Sequence, residues 1–589
     1  MLALGLWGLD RGGMWGDEGV TFLVGRRTVP QIWHLLHGVD AVHGLYYLLM
    51  HALLVIRPGE VTLRLPSVLG AAATAGLVAA LGVRLARPRV GLWAGLLYAI
   101  TPLTGHYAQE GRSYALVAAG VTGATLLLVR ALEGRSWWPY GAVLAATSLL
   151  HEFAVLVLCA HALTLAAARV PRAVWAGWGR AAGVVGGVLL PLAWVSQRQS
   201  GQVAWLRVPD RDTTERLARD FLAVTPTGVV FWTSVLLILA GLGAGRLTSV
   251  ALPLLVVPPV ILLTVSQYRP LFHERYVLYA LAGAPLLAAA GADRLVGAVG
   301  RLRQGGRRVP SGRHVAVTPA LAGVERHPQR HPQRHPQRHP QRHPQRHPQL
   351  VGAPIASAHR SGADRTTGAA SRPPSPPRPP ARATPPARCS PHRAHLVTLA
   401  GVLAVAVPFL HGLPAYRNDR SAAHRPENLA AVSALVGSEM RPGDPVLFLP
   451  SFWRVTALAY PGPFRGVRDL ALEESGARSG TLSGREVAPR ELRERLAGVD
   501  RVWIVAQSNL LPSRWVPGDP ADRVKLDVVD GEFARRQEYV RGRVKLALYI
   551  RRMPPQPMRP LRPAPVTAPA PVTAPASTTA PASPSPARP

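Results

Sequence analysis

The sequence predicts a mainly α protein: a polytopic transmembrane helix bundle of about 10–11 spans, the first one truncated, followed by a C-terminal extracytoplasmic α/β domain. Three observations predict it. From Leu65 to Ala290 the chain is mostly long runs of Leu, Val, Ala and Gly separated by short Arg-bearing breaks, the pattern of successive spans and connecting loops. Only 17% of the residues are charged against 48% hydrophobic, which leaves too few polar faces to cover that apolar surface in water. From Tyr416 to Arg551 the composition changes to that of a soluble α/β domain.

Met1 to Leu9 is apolar, but nine residues are too few; a span takes about 20. There is no charged n-region or small-residue cleavage site, so the true start is expected upstream. Met14-Trp15-Gly16-Asp17-Glu18-Gly19 then sets two adjacent acids after the first hydrophobic run. Carboxylates at a membrane boundary lose hydration unless they are paired or face a wet cavity. Spacing alone equally allows Asp17 to be the N-cap of a helix continuing through Thr21-Phe22-Leu23. Val29 to His37 has helical periodicity and reads as a helix lying in the interface. Gly44–Ile56, at thirteen residues, is expected not to cross. The spans follow as Leu65–Ala86, Val90–Thr104, Tyr114–Leu132, Tyr140–Leu150, Phe153–Ala168, Ala181–Val195, Val229–Ala244, Val250–Val265 and Tyr276–Ala290. Leu396–Leu410 is the last.

Arginine-rich short loops stay cytoplasmic. Arg84, Arg87 and Arg89 mark one such loop, as do Arg130 with Arg135, Arg169 with Arg172 and Arg180, Arg246, and the long loop after Asp293. Alternation then places His106–Arg112, His151-Glu152, Gln197–Thr227 and Ser266–Arg275 outside, together with the acidic pair. The net charge of +34 is not spread as a nucleic-acid-binding surface would need. Between Asp293 and Arg393 there are nineteen arginines against three acids, so nearly half of the excess sits in one loop. That loop carries six tandem Arg-His-Pro-Gln units, 326–349, and a Pro/Ser/Arg-rich stretch with nothing apolar to pack. Cys159 and Cys389 offer neither a disulfide framework nor a metal cluster.

The domain organisation expected is 1–292 membrane domain, 293–394 disordered basic loop, 395–411 last span, 412–551 extracytoplasmic domain and 552–589 disordered Pro/Ala-rich tail. In the extracytoplasmic domain Pro426–Met440 is expected to be helical, and Pro445–Leu449, Arg501–Val505 and Val544–Ile550 to be strands. It holds no nucleophile elbow, phosphate loop or metal spacing, so its task is to cover the membrane domain or to contact an acceptor.

Four features converge on the external face: Asp17-Glu18, His43, the run His106 to Tyr114, and His273-Glu274-Arg275-Tyr276. Together they supply carboxylates and cations where loops meet spans, which interfacial anchoring alone does not demand. The acidic pair, His-Gly-Leu-Tyr-Tyr from His43, Leu-Arg-Leu-Pro-Ser from Leu63, Gln-Glu-Gly-Arg-Ser-Tyr-Ala-Leu from Gln109 and Glu-Arg-Tyr-Val-Leu from Glu274 resemble the membrane glycosyltransferases of the GT-C class. The branch most similar is the protein O-mannosyltransferase-like glycosyltransferase family 39 of actinobacterial envelopes. The resemblance runs from about Trp7 to Ala290, and departs from the family at Gly44, usually proline, and at Gly111, often alanine.

The resemblance implies a multi-pass plasma-membrane enzyme, active on the external face. It would move a sugar, mannose first and arabinofuranose second, from a polyprenyl-phosphate donor to a glycan, lipid or protein acceptor with inversion. It further implies Asp17 as general base with Glu18 orienting it or the sugar. Arg112, with Arg275 and His43, would receive the phosphate, and Glu110 would fix Arg112 or a sugar hydroxyl. No cofactor and no metal are implied. A non-catalytic transporter or flippase of lipid-linked sugars would use the same cations but has less use for the acidic pair. A scaffold recruiting partners through the basic loop is compatible with either.

Overall fold

The computed structural model describes residues 1–222, 228–305, 391–421, 427–510 and 516–552. Residues 301–394 form a unit of their own, of which only the helical ends 301–305 and 391–394 are described. The Arg-His-Pro-Gln repeats and the Pro/Ala-rich tail lie outside the described residues.

Helices begin with α1 (Leu2–Leu6), α2 (Gly16–Gly25), α3 (Val29–Gly38), α4 (Gly44–Ile56), α5 (Glu60–Leu85), α6 (Pro88–Ala99), α7 (Pro102–Ala108) and α8 (Tyr114–Leu132). They continue with α9 (Trp138–Leu150), α10 (Val157–Ala167), α11 (Arg172–Arg198), α12 (Arg211–Leu222), α13 (Gly228–Gly241), α14 (Arg246–Val265), α15 (Gly283–Gly305) and α16 (Pro391–Asp419). Glu274–Ala282 is a 3-10 segment leading into α15. The helical stretches therefore fall where the apolar runs placed them. α15 passes through Asp293 and α16 through Leu410, so both outlast the expected boundaries.

Six stretches are long and apolar enough to cross a bilayer among the described residues: α5, α8, α11, α14, Glu274–Leu302 and His395–Asp419. This makes the chain a multi-pass membrane protein, and several of the other expected spans are shorter helices among the described residues. The reason lies in the breaks. The run Val90–Thr104 is interrupted after Ala99, and Pro102 restarts it as α7. The runs around His151 end in α9 of 13 residues and α10 of 11 residues, separated by a 3-10 turn. α16 shows Leu396, Leu399, Leu403, Val407 and Leu410 exposed at helical spacing, as a lipid-facing stripe would be.

Close packing comes from small residues. A Cβ on Gly91 would lie 2.3 Å from the Ala79 carbonyl oxygen, and one on Gly70 would lie 2.9 Å from that of Ala115, so α5 meets α6 and α8 backbone to backbone. α13 and α15 touch in the same way, Gly291 against the Leu237 carbonyl and Gly241 against that of Leu287.

Two charge clusters sit at opposite ends of α5. At its C-terminal end Arg84 pairs with Glu133, and Arg87 and Arg89 pair with Asp293, 3.0 Å away for Arg87. At its N-terminal end lies the cluster containing Asp17, Glu18, Arg112 and Arg275. The helix between them is 26 residues long, about 39 Å at 1.5 Å per residue.

After α16 come α17 (Leu429–Glu439), β1 (Pro445–Leu449), α18 (Val455–Ala459), β2 (Arg468–Asp469), β3 (Leu472–Glu474), α19 (Gly476–Ser479), β4 (Arg485–Glu486), α20 (Pro489–Ala497), β5 (Arg501–Gln507), α21 (Pro520–Glu532), β6 (Phe533–Arg541) and β7 (Val544–Arg551). The main sheet has the order β2-β1-β5-β7-β6, with β1 parallel to β2 and β5, and β7 antiparallel to β5 and β6. Alternation along β1 divides the core. Leu447 and Leu449 join Leu492, Leu496 and Val529 of α20 and α21, whereas Val446 and Phe448 join Phe22, Ile32, Tyr46 and Met50 of the N-terminal helices. The C-terminal domain thus shares a core with α2, α3 and α4.

Replacing Gly291 by leucine forces side-chain atoms into the α13 backbone. Overpacking of this kind costs about 1–3 kcal/mol, so Gly291→Leu is expected to lower the thermal midpoint of the detergent-purified protein. An unchanged midpoint would contradict the close α13–α15 contact.

Candidate active site

α2 begins at Gly16 with Trp15 as N-cap, and Trp15 offers no capping side chain. Asp17 is therefore not the cap, which settles the alternative that spacing left open. The Gly16 N–H is taken instead by Glu427 Oε2 at 3.2 Å, from the segment leading into α17. Met14 is fixed similarly: its N–H donates to the Tyr460 hydroxyl at 2.8 Å, and its carbonyl accepts from Leu429 N at 3.0 Å. Asp17 and Glu18 occupy the first turn, where the helix dipole favours negative charge.

The two acids face different partners because successive helical residues point about 100° apart. Glu18 is fully buried and forks with Arg64: Nε to Oε1 and Nη2 to Oε2, both 2.8 Å. Its Oε1 also accepts the Gly111 N–H at 2.8 Å, and Arg64 donates onward to the carbonyls of Leu9 and Gly13 at 3.0 and 3.3 Å. Asp17 is 29% exposed, and its Oδ2 lies 3.1 Å from Arg275 Nη1. The Arg275 guanidinium carbon stands 5.6 Å from the Trp15 ring centre and 5.4 Å from that of Tyr114.

Arg112 is buried and donates from Nη1 to Thr21 Oγ1 at 3.1 Å and from Nη2 to His43 Nε2 at 2.7 Å. Because a guanidinium only donates, His43 accepts through Nε2 and, as a neutral ring, carries its proton on Nδ1. Among the described residues that nitrogen is buried without a hydrogen-bond partner, as are Arg112 Nε and Arg275 Nε. No carboxylate oxygen lies within 4.0 Å of the Arg112 guanidinium among the described residues. His43 is placed by the preceding turn, where Asp40 adopts φ 59° and accepts from the Tyr47 hydroxyl at 2.6 Å.

Glu110 is buried, and its Oε2 has no partner among the described residues. Burial first raises it to about 7, with His106 and Arg275 opposing and Glu18 and Asp17 adding to the rise. Gly111 beside it is packed so that a Cβ would lie 2.5 Å from Leu63 Cγ. The alanine often found there in the resembling family would have to displace that leucine. His151, between α9 and the following 3-10 turn, is buried; desolvation, then Arg112 and Arg275, push it down to about 3.

The fold thus brings together all six residues singled out from sequence: Asp17, Glu18, His43, Glu110, Arg112 and Arg275. It also adds four that sequence reasoning gave no role, namely Arg64, Thr21, His151 and Glu427. Arg64 carried a usable signal, since an arginine one turn into an apolar helix needs a buried partner. Glu427 carried none. Among the described residues no group of three His, Cys, Asp or Glu side chains is arranged to hold a metal ion.

No protein-family model matches the chain, and no curated protein matches it. Two solved structures are similar to it. ArnT from Cupriavidus metallidurans in the apo state has 13% identity over 93% of this chain and 96% of that one, with a TM-score of 0.46. The same protein bound to undecaprenyl phosphate has 14% identity over 93% and 96%, with a TM-score of 0.46.

Removing one partner of a buried ion pair costs about 3–5 kcal/mol, because the other charge is stranded. Arg64→Met is expected to destabilise the protein by about that amount, and Glu18→Leu combined with Arg64→Met by less than Arg64→Met alone, as read by thermal unfolding. Glu110 gives a pH signature. Its folded value near 7 lies above the ordinary 4.5, so its favourable contribution is full below the unfolded value and is lost as pH rises through the folded one. Glu110→Gln should therefore match the wild-type midpoint at pH 4.5 and exceed it at pH 8.

Proposed function

We propose that this chain is a membrane glycosyltransferase of the GT-C class that transfers a sugar from a polyprenyl-phosphate carrier to an acceptor hydroxyl with inversion. The observation that carries the reading is Arg112: a buried cation whose contacts, Thr21 and His43, are both neutral, beside the Asp17–Arg275 pair. Asp17 and Asp40 act on this cation only from a distance, which leaves room for an anion in direct contact, and one entering from the lipid side offsets the cost of burying the charge. A prenyl phosphate supplies such an anion on an apolar tail.

In the proposed reaction the acceptor oxygen attacks the anomeric carbon as the carbon–oxygen bond to phosphate breaks. Asp17 takes the acceptor proton through the carboxylate oxygen that Arg275 does not hold, and the bonding pair leaves on the lipid phosphate. Arg112, with Arg275 and the Nδ1–H of His43, receives the charge developing there. Glu18 acts by holding the acidic turn rather than by touching substrate. Glu110 serves a sugar hydroxyl. Mannose is the sugar favoured by the resemblance to family 39, with the site on the extracytoplasmic face of the plasma membrane.

Membranes carrying the chain, supplied with radiolabelled polyprenyl-phosphate mannose, provide the test. Asp17→Asn is expected to reduce transfer about 100-fold or more, and Arg112→Ala to weaken donor use while leaving membrane insertion intact. Undiminished transfer by Asp17→Asn removes the general-base role. Absence of transfer by the wild type from any polyprenyl-phosphate sugar removes the reading as a whole.

A further inference from the structure

Around Arg112 the fold buries a run of hydrogen-bonding atoms with nothing to bond. His43 Nδ1, Arg112 Nε, Arg275 Nε, the Tyr114 hydroxyl and His151 Nδ1 all lack a partner among the described residues. Each such group costs about 1–3 kcal/mol if it stays unpaired, so a contiguous set of them marks where a ligand completes the structure. The set is contiguous. Arg112 touches His43 at 2.7 Å, the His43 and His151 rings are 6.2 Å apart, those of His151 and Tyr114 5.6 Å, and the Arg275 guanidinium carbon is 5.4 Å from the Tyr114 ring centre. The guanidinium nitrogens and His43 Nδ1 can only donate here, and the Tyr114 hydroxyl can donate by rotation. A ligand that only accepts fits this lining.

We propose that His151 and Tyr114 are donor-binding residues, the His151 Nδ1–H and the Tyr114 hydroxyl both donating to non-bridging oxygens of a prenyl phosphate. This rests on the glycosyltransferase reading of the same site. Burial and the two arginines keep the His151 ring neutral, and in the tautomer protonated at Nδ1 it adds a donor without adding charge. The donor phosphate carries one negative charge as a diester and the leaving phosphate carries two as a monoester. Neutral donors hold both, whereas a third cation would favour the product and slow its release. The competing role for His151 is packing, since its ring also lies against Phe153 and Tyr276, with centres 5.6 and 4.9 Å away. His151→Phe separates the two roles by keeping a ring and removing the N–H, and Tyr114→Phe removes only a hydroxyl.

The experiment is calorimetric titration of the full chain in lipid nanodiscs with farnesyl phosphate, with farnesol as the uncharged control. Each variant is expected to bind farnesyl phosphate about tenfold more weakly than wild type, about 1.4 kcal/mol, with farnesol partitioning unchanged and the ligand-free thermal midpoint no lower, because each removes a buried group that is unpaired without ligand. Wild-type affinity in both variants overturns this inference and leaves the glycosyltransferase reading standing. Failure of the wild type to bind farnesyl phosphate in preference to farnesol overturns both. Should His151→Phe not fold, Tyr114→Phe decides alone, and wild-type affinity there is the overturning result.

Discussion

The buried ion pair between Glu18 and Arg64 holds the site together. It links α2 to α5, fixes the loop at Gly111 through a backbone N–H, and gathers the carbonyls of Leu9 and Gly13 onto one guanidinium. Desolvating two charges costs several kcal/mol per ion. A bidentate fork with every remaining valence hydrogen-bonded is the geometry that offsets such a cost. The pair specifies more than it stabilises. With Glu18 locked toward α5, helical geometry turns Asp17 toward Arg275, and Gly111 is held beside the turn that presents Glu110 and Arg112.

Electrostatics then separates the polar groups into two kinds. The Glu18–Arg64 network is complete, with donors and acceptors matched, and is sealed from solvent. The set containing Arg112, His43 and Arg275 is incomplete among the described residues, with guanidinium and imidazole nitrogens left over in a buried setting. A protein interior tolerates such a surplus poorly unless a ligand shares it. Completeness in one network and deficit in the neighbouring one distinguish the frame of the candidate site from its proposed binding surface.

The C-terminal domain is part of that frame. Glu427 stands at the start of α2 where a capping side chain is missing, Leu429 and Tyr460 hold Met14, and β1 shares its core with α2, α3 and α4. Arg27 reaches the carbonyls of Thr481 and Leu482 at 2.8 and 3.2 Å and adds a second anchor. A domain expected from composition to cover the membrane domain or to contact an acceptor is found to set the geometry of the acidic turn.

Much of this was legible in the residues. Hydropathy located the helical stretches, because an apolar run that must satisfy its own backbone in lipid has little choice but to be helical. Short apolar runs rich in β-branched and aromatic residues located β1, β5 and β7, most of whose residues are buried. The polar strand β6 and the two- and three-residue strands β2, β3 and β4 escaped, having no such run to show. Adjacency singled out Asp17-Glu18 as the centre of the candidate site, but only the tertiary structure decided which acid is sealed and which is open. That depends on Arg64, 46 residues away, and on a helix start capped from Glu427, 411 residues away. Sequence alone fixes local chemistry and periodicity. Rotation about a helix axis, burial, and the pairing of distant charges are decided by packing.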